Sequence, residues 1–423
     1  VQTLPLSYGV TLLPFVDKEL LGAFGGSIRL EFTTVFSILL ILLGYNVLKK
    51  SAFKLRNNIW LAIFILFCIV SVFNPANAFR LSSLVPLSFV IQMIFLIKVI
   101  HSNFTREEIF VGIYDGLKFT TLLQFCLCIF YPVLGMQEFA GFFKSGVAAQ
   151  WADRRAGYSS AVGTFAHPAQ LALFSFLTLL FFFGCALNHF RRRQAYYFMS
   201  LNTLIIFLTF SRTTYVVLLT VLVIVYITFN SKAGLFTARN LFKFLSISIL
   251  ILSVLYFSPL SDLFLKSDSE TQVENRMVHW VLGFEIWQTS KWIGLGLNSH
   301  VYYLGHKFLT DPFGGTIFLD FFVSNPIHNI HLIIFCELGL LGFLIWIHYY
   351  ASNLIYFSKR VRTGGLIDNV FNLVFVGILF SMFIYGAFGW APFEQSISGL
   401  CIFLASMALR STPNNFIQEK FKQ

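Results

Sequence analysis

The chain has 423 residues, of which 57% are hydrophobic and only 12% charged, with a mean hydropathy of +0.75. A water-soluble protein of that length needs far more charge to cover its surface, so a soluble enzyme or binding module is excluded. The net charge of +11 sits mainly at the ends of apolar runs, which points to membrane topology rather than to nucleic acid.

Taken in chain order, the apolar runs predict a shortened first span at 3–16, then spans at 32–48, 57–75, 83–101, 109–135, 161–187, 195–212, 213–229, 243–258, 328–349, 368–388 and 394–410. Most reach the length needed to cross roughly 30 Å of hydrocarbon. The fold class is therefore an all-α polytopic membrane protein with about 12 transmembrane helices. A β-barrel would show short alternating segments instead. No cleavable leader is evident, and the first span is expected to act as the targeting signal. Transmembrane helices fill residues 1–258. Residues 259–327 form one large outer loop, and 328–423 hold the last spans and a tail.

The connectors sort by charge. One set carries Lys49, Lys50, Lys54, Arg56, the run Arg191–Arg193, Lys359, Arg360 and Arg362. Assigning that set to the cytoplasm puts most lysines and arginines inside, as the positive-inside rule requires, and leaves both termini there. Inner connectors are short, so no cytoplasmic nucleotide-binding domain is expected. GxxxxGK[ST] is absent, which argues against an ATP-driven pump. Within the outer loop an amphipathic helix is predicted from about 271 to 290, since Met277, Trp280, Val281, Phe284 and Trp287 share a face. Such a helix would lie in the membrane interface. The six cysteines all fall in apolar runs and read as small buried residues without disulfides.

Polar residues gather at the outer span ends. His328 and Asn329 open one span, and Arg212 sits in TFSRTTYVV where two spans meet. Arg154 and Arg155 precede GTFAHPAQ, Arg80 follows NPANAF, and Arg276 lies in the amphipathic helix. Arginine forks bind phosphate bidentately and stay charged at any working pH. The bland alternative for each arginine is snorkelling to lipid phosphate; for His328 it is a plain interfacial residue. His167 is expected to cap its span, Glu337 to pair within the bundle, and Asp115 with Lys118 to form an ion pair on one helix face. The glycosylation-like NFT at 103–105 falls on the inner side and is discarded.

Together these residues resemble the bacterial O-antigen ligase and polymerase superfamily. Its ligase signature is His-[Asn/Ser/Gln], nine residues, Gly, two residues, then Gly or another specified residue. It is matched by His328, Asn329, Gly339 and Gly342. GTFAHPAQ, the SR turn and the loop stretch ENRMVHW…WIGLGLNSH stand in the same order as in the family. The resemblance covers roughly residues 150–390. It implies a GT-C-like fold and a metal-independent, inverting glycosyltransferase that needs no cofactor. The implied donor is an oligosaccharide on undecaprenyl diphosphate, at the outer, periplasmic face of the bacterial inner membrane. The acceptor would be a carrier-linked repeat or lipid A-core, with a chain-length regulator as a further partner. His328 is then the expected general base and Arg212 the catalytic cation. Arg154, Arg155, Arg276 and Arg80 are expected near the diphosphate, and Asn329 to orient His328 or bind sugar. Gly339 and Gly342 are expected to allow close helix packing.

Polymerase is the first reading and ligase the alternative, since the two differ only in acceptor. A lipid-linked glycan transporter is a more distant one: no repeat relates the two halves, and the polar groups gather at the rim rather than the midplane.

Overall fold

The computed structural model describes residues 9–11, 29–31, 42, 59–77, 80–133, 160–165, 167–230, 246, 269–300, 303, 327–389 and 395–409. The spans expected at 32–48 and 243–258 lie outside these residues apart from isolated positions. Within the expected first span, Gly9–Thr11 is a strand, β1, paired antiparallel with β2, Arg29–Glu31. Extended backbone is reasonable there. The run at 3–16 is shorter than the roughly 20 residues of a span, and Pro5, Gly9 and Pro14 all oppose a helix.

The other regular elements are helical: α1 Ile59–Val72, α2 Arg80–Asn103, α3 Arg106–Val133, α4 Pro168–Leu187, α5 Arg192–Leu208, α6 Arg212–Asn230, α7 Ser269–Thr289, α8 Ile330–Arg360, α9 Leu366–Gly386 and α10 Gln395–Leu409. Five contain stretches long and apolar enough to cross a membrane: Pro86–Asn103, Pro168–Leu187, Arg212–Asn230, Ile330–Arg360 and Leu366–Gly386. Helices α1, α3, α5 and α10 fall on further expected spans, and α7 on the predicted amphipathic segment.

Local chemistry sets several helix starts. His167 caps α4, its Nδ1 accepting the Ala169 N–H at 3.1 Å, with Pro168 in the first turn where no N–H is needed. Helix α3 opens on a capping box. The Thr105 N–H and hydroxyl both donate to Glu108 Oε2 (2.8 and 2.9 Å), and the Glu108 N–H donates back to Thr105 Oγ1 at 3.2 Å. The Thr105 bonds hold the Glu108 carboxyl below the usual carboxylate range.

Helix α4 lies at the centre. It packs against α3, α5, α6, α9 and α10 and is buried on nearly every side, as suits a helix apolar all round. Gly377 of α9 lets Leu180 of α4 approach closely. Towards one end, aromatic edges fill the core: Phe110 meets Phe371 at 5.6 Å and Tyr114 meets Phe182 at 5.4 Å, both near perpendicular.

That end also collects the basic connectors. Asp115 pairs with Lys118 as expected (3.3 Å) and also with Arg191 (3.5 Å). Arg362 stands over Phe229, and buried Arg106 bridges Asp368 of α9 and the Met407 carbonyl of α10. The opposite end holds Arg212, His328 and the segment after α7.

Candidate functional site

The signature glycine decides the local architecture. Helix α8 is broken at Gly339, whose φ of 65° and ψ of −171° suit glycine alone. The two arms fold back on each other. His331 and Trp346 would stand about 22 Å apart along an unbroken helix, yet their ring centroids are 5.1 Å apart. Phe335 and Phe343 likewise meet at 5.3 Å.

A break of this kind frees backbone groups that hydrocarbon does not satisfy, so it is tolerated only where protein takes them up. Residues 291–296 do so. The Leu295 and Gly296 N–H groups donate to the Cys336 and Glu337 carbonyls (3.0 and 2.8 Å). In return the Leu340 and Leu341 N–H groups donate to the Lys291 and Trp292 carbonyls (2.9 and 3.2 Å). Backbone lies directly on backbone. A Cβ at Gly339 would sit 2.5 Å from the Trp292 carbonyl, and one at Gly294 would strike the Glu337 carbonyl. Gly339 is thus a chain-crossing point, where a helix-packing residue was expected. Gly342 does serve packing, with Phe67 of α1 about where its Cβ would go (2.9 Å).

Side chains hold the same crossing. Asn74 donates to the Gly294 carbonyl and Ser83 to the Leu297 carbonyl, both at 2.5 Å. The Cys336 thiol donates to the Gly283 carbonyl of α7. Glu337, expected to pair within the bundle, instead meets His300 of the outer segment, Nδ1 to Oε1 at 2.5 Å. His300 is the residue that sequence reasoning missed. The signal was present: a carboxylate inside an apolar helix demands a partner, and the outer loop offers only His279, His300 and His306 as imidazoles.

His328 is half-buried at the start of the first arm, next to a helix N-terminus. The Asn329 side-chain oxygen accepts the Leu332 N–H at 3.0 Å and caps that arm. One turn on, the His331 Nε2–H donates to the Phe383 carbonyl (2.9 Å), with its ring against Trp346 and Phe383. These contacts fix the arm's first turn at the end of α9.

Arg212 starts α6 after a turn in which Phe210 has a φ of 53°. The GTF segment docks beside that turn: the Ala161 N–H donates to the Leu208 carbonyl at 2.9 Å, and Gln124 of α3 holds Thr164 through two bonds. Two of the sequence stretches therefore meet in space. Helix α9 packs against both α6 and α8, placing Arg212 and His328 on neighbours of one helix. Arg80 begins α2 and Arg276 lies in α7, but the side chains of both lie outside the described residues. Arg154 and Arg155 lie outside them altogether. Among the described residues no group of three His, Cys, Asp or Glu is arranged to hold a metal ion.

The family model described as O-antigen ligase matches residues 197–347, from α5 into the second arm of α8. That match supports the resemblance to the O-antigen ligase and polymerase superfamily over this stretch of the chain. No curated protein matches it. The stretch matched to O-antigen ligases takes in Arg212, Arg276, His300, His328, Glu337 and Gly339, and leaves out Arg80, Arg154 and Arg155.

Proposed function

We propose that the chain is a membrane glycosyltransferase that polymerises polysaccharide repeats. It moves a glycan from undecaprenyl diphosphate to a sugar hydroxyl at the outer face of the cytoplasmic membrane. The observation that carries this reading is His328 at the head of a capped, anchored half-helix, at the end of the bundle opposite the basic connectors.

The leaving group is already activated, so no nucleotide is required. The acceptor oxygen attacks the anomeric carbon while the bond from that carbon to the diphosphate oxygen breaks. Its proton passes to a neutral His328 imidazole, a group suited to that task near pH 7. The pair of electrons leaves on the lipid diphosphate, whose growing charge Arg212 stabilises, and Arg154, Arg155, Arg276 and Arg80 are the further candidates for its oxygens. Attack opposite the diphosphate inverts the anomeric centre. Asn329 serves by capping the arm that carries His328.

A second reading is favoured by the description of the matched family: a ligase that joins the glycan to lipid A-core. One experiment separates the two. Purified protein is given a carrier-linked repeat alone, and the products are resolved on a gel beside those of His328→Ala. A ladder that vanishes in the variant supports the polymerase. Transfer that begins only when lipid A-core is added supports the ligase, and a variant equal to wild type removes His328 from the chemistry.

A further inference from the structure

Two ionisable side chains stand outside the mechanism above and are buried against each other. His300 and Glu337 are 5% and 8% exposed, and one short hydrogen bond joins them. The carbonyl of Glu337 also accepts the Gly296 N–H, so residue 337 is held twice by the same outer segment. His300 Nε2 is buried and meets no hydrogen-bond partner among the described residues. Among the described residues, the bond from its Nδ1 to Glu337 is thus the directional contact of the ring.

Stability alone is a poor reason for such a pair. Desolvating a carboxylate costs several kcal/mol, and an apolar pair of similar volume often does as well. The apolar contacts nearby are non-directional: Ile330, Ile334 and Leu338 of the first arm pack on Phe64, Phe67 and Cys68 of α1. They hold the arm down, and its directional side-chain ties are the His331–Phe383 bond at the first turn, the Cys336–Gly283 bond and the His300–Glu337 bond near the break. The four backbone bonds at the break tie main chain to main chain, and the His300–Glu337 bond adds a side-chain tie from the same segment to the arm.

We propose that His300 and Glu337 are positioning residues. Their bond locks residues 291–300 onto the break in α8 and so, together with the His331–Phe383 bond at the other end of the arm, sets where His328 stands. Leverage gives the magnitude. The arm, residues 330–338, is roughly 13 Å long, so a tilt of about 5° at the break moves its far end by about 1 Å. Misplacement of that size costs on the order of 100-fold in rate.

The inference rests on His328 as proton acceptor, and the test has two readouts so that the two ideas fail separately. The first is transfer by purified, monodisperse protein with a carrier-linked glycan. Glu337→Ala and His300→Ala are expected to lower kcat by about 30- to 100-fold, with the KM for the donor changed by less than about threefold. The double variant is expected to be no worse than the poorer single, because each change removes the same bond. Glu337→Gln keeps an acceptor for the imidazole N–H and is expected to stay within about fivefold of wild type. Alanine variants with wild-type kcat, additive losses in the double, or a Gln variant as impaired as the Ala one would overturn the proposal. Where an alanine variant does not fold, Glu337→Gln and His300→Gln decide: folded protein with activity lost in both overturns it.

The second readout needs no activity. The rate at which a water-soluble thiol reagent modifies His328→Cys, with Cys126, which is exposed where a buried cysteine was expected, replaced by Ser, is compared with and without Glu337→Ala or Glu337→Gln. A rate changed by Ala and restored by Gln supports the link even if His328→Ala leaves transfer intact, which would remove only the functional reading. Equal rates in all three backgrounds overturn the link.

Discussion

Two glycines show how differently one residue type is used in this chain. A Cβ at Gly112, mid-helix in α3, meets nothing within 4 Å, whereas one at Gly339 runs into the Trp292 backbone at a positive φ. Gly112→Ala is therefore expected to stabilise by about 0.5–1 kcal/mol, through the entropy that glycine loses in a helix. Gly339→Ala combines left-handed strain with overlap that neither chain is free to relieve, for a loss on the order of 3 kcal/mol or more. Thermal unfolding in detergent checks both: Gly112→Ala melts higher than wild type and Gly339→Ala lower or not cooperatively at all. Asn329 poses a subtler choice between capping and sugar binding. Its side-chain oxygen accepts the Leu332 N–H, and serine caps about as well as asparagine, whereas alanine costs about 1 kcal/mol. Asn329→Ser is thus expected to keep wild-type stability and most of its transfer activity, with Asn329→Ala impaired in both. Equal loss of transfer in the two variants, at equal stability, would mean that the amide itself meets the substrate.

At the scale of the element, hydropathy located helices well and missed what one of them does. Spans at 83–101, 161–187 and 368–388, and a shorter apolar helix within 57–75, were legible because burial and lipid select the same apolar residues, and α7 because its apolar positions recur on one face. The break in α8 was not legible. Gly339 stands in the apolar run IIFCELGLLGFLIW, where an isolated glycine is tolerated in an intact helix at modest cost. What bends the chain is the backbone of residues 291–296, remote in sequence, and no local pattern in α8 announces it. The pairing of Glu337 was foreseen and its partner was not, for the same reason: the contact crosses from an outer segment to a span. The reversal itself is open to test. His331→Cys combined with Trp346→Cys, with the native Cys126 replaced by Ser, is expected to cross-link through a short bifunctional thiol reagent, since the native rings are 5.1 Å apart. On a straight helix the two positions would be about 22 Å apart and no cross-link would form.

For the whole molecule, the basic connectors and the proposed site divide between the two ends. The connectors rich in arginine lie with the Arg106–Asp368 clamp and the aromatic packing around Tyr114. The crossing at Gly339, the capped arm with His328 and the turn before Arg212 lie at the other end. If the positive-inside rule sets the orientation, the end that holds His328 and Arg212 faces away from the cytoplasm. A translocated carrier-linked glycan would meet it there, and the bulk of the bundle beneath would serve as a rigid base. Arg193 and Lys291 are both exposed and sit at opposite ends, so they report orientation directly. In a chain with Cys126 replaced by Ser, a membrane-impermeant thiol reagent added to spheroplasts is expected to label Lys291→Cys and spare Arg193→Cys, with the pattern reversed in inverted vesicles. The opposite pattern would put His328 on the cytoplasmic side. Its acceptor would then have to be a cytoplasmic glycan, and the outer-face polymerase and the ligase would fall together.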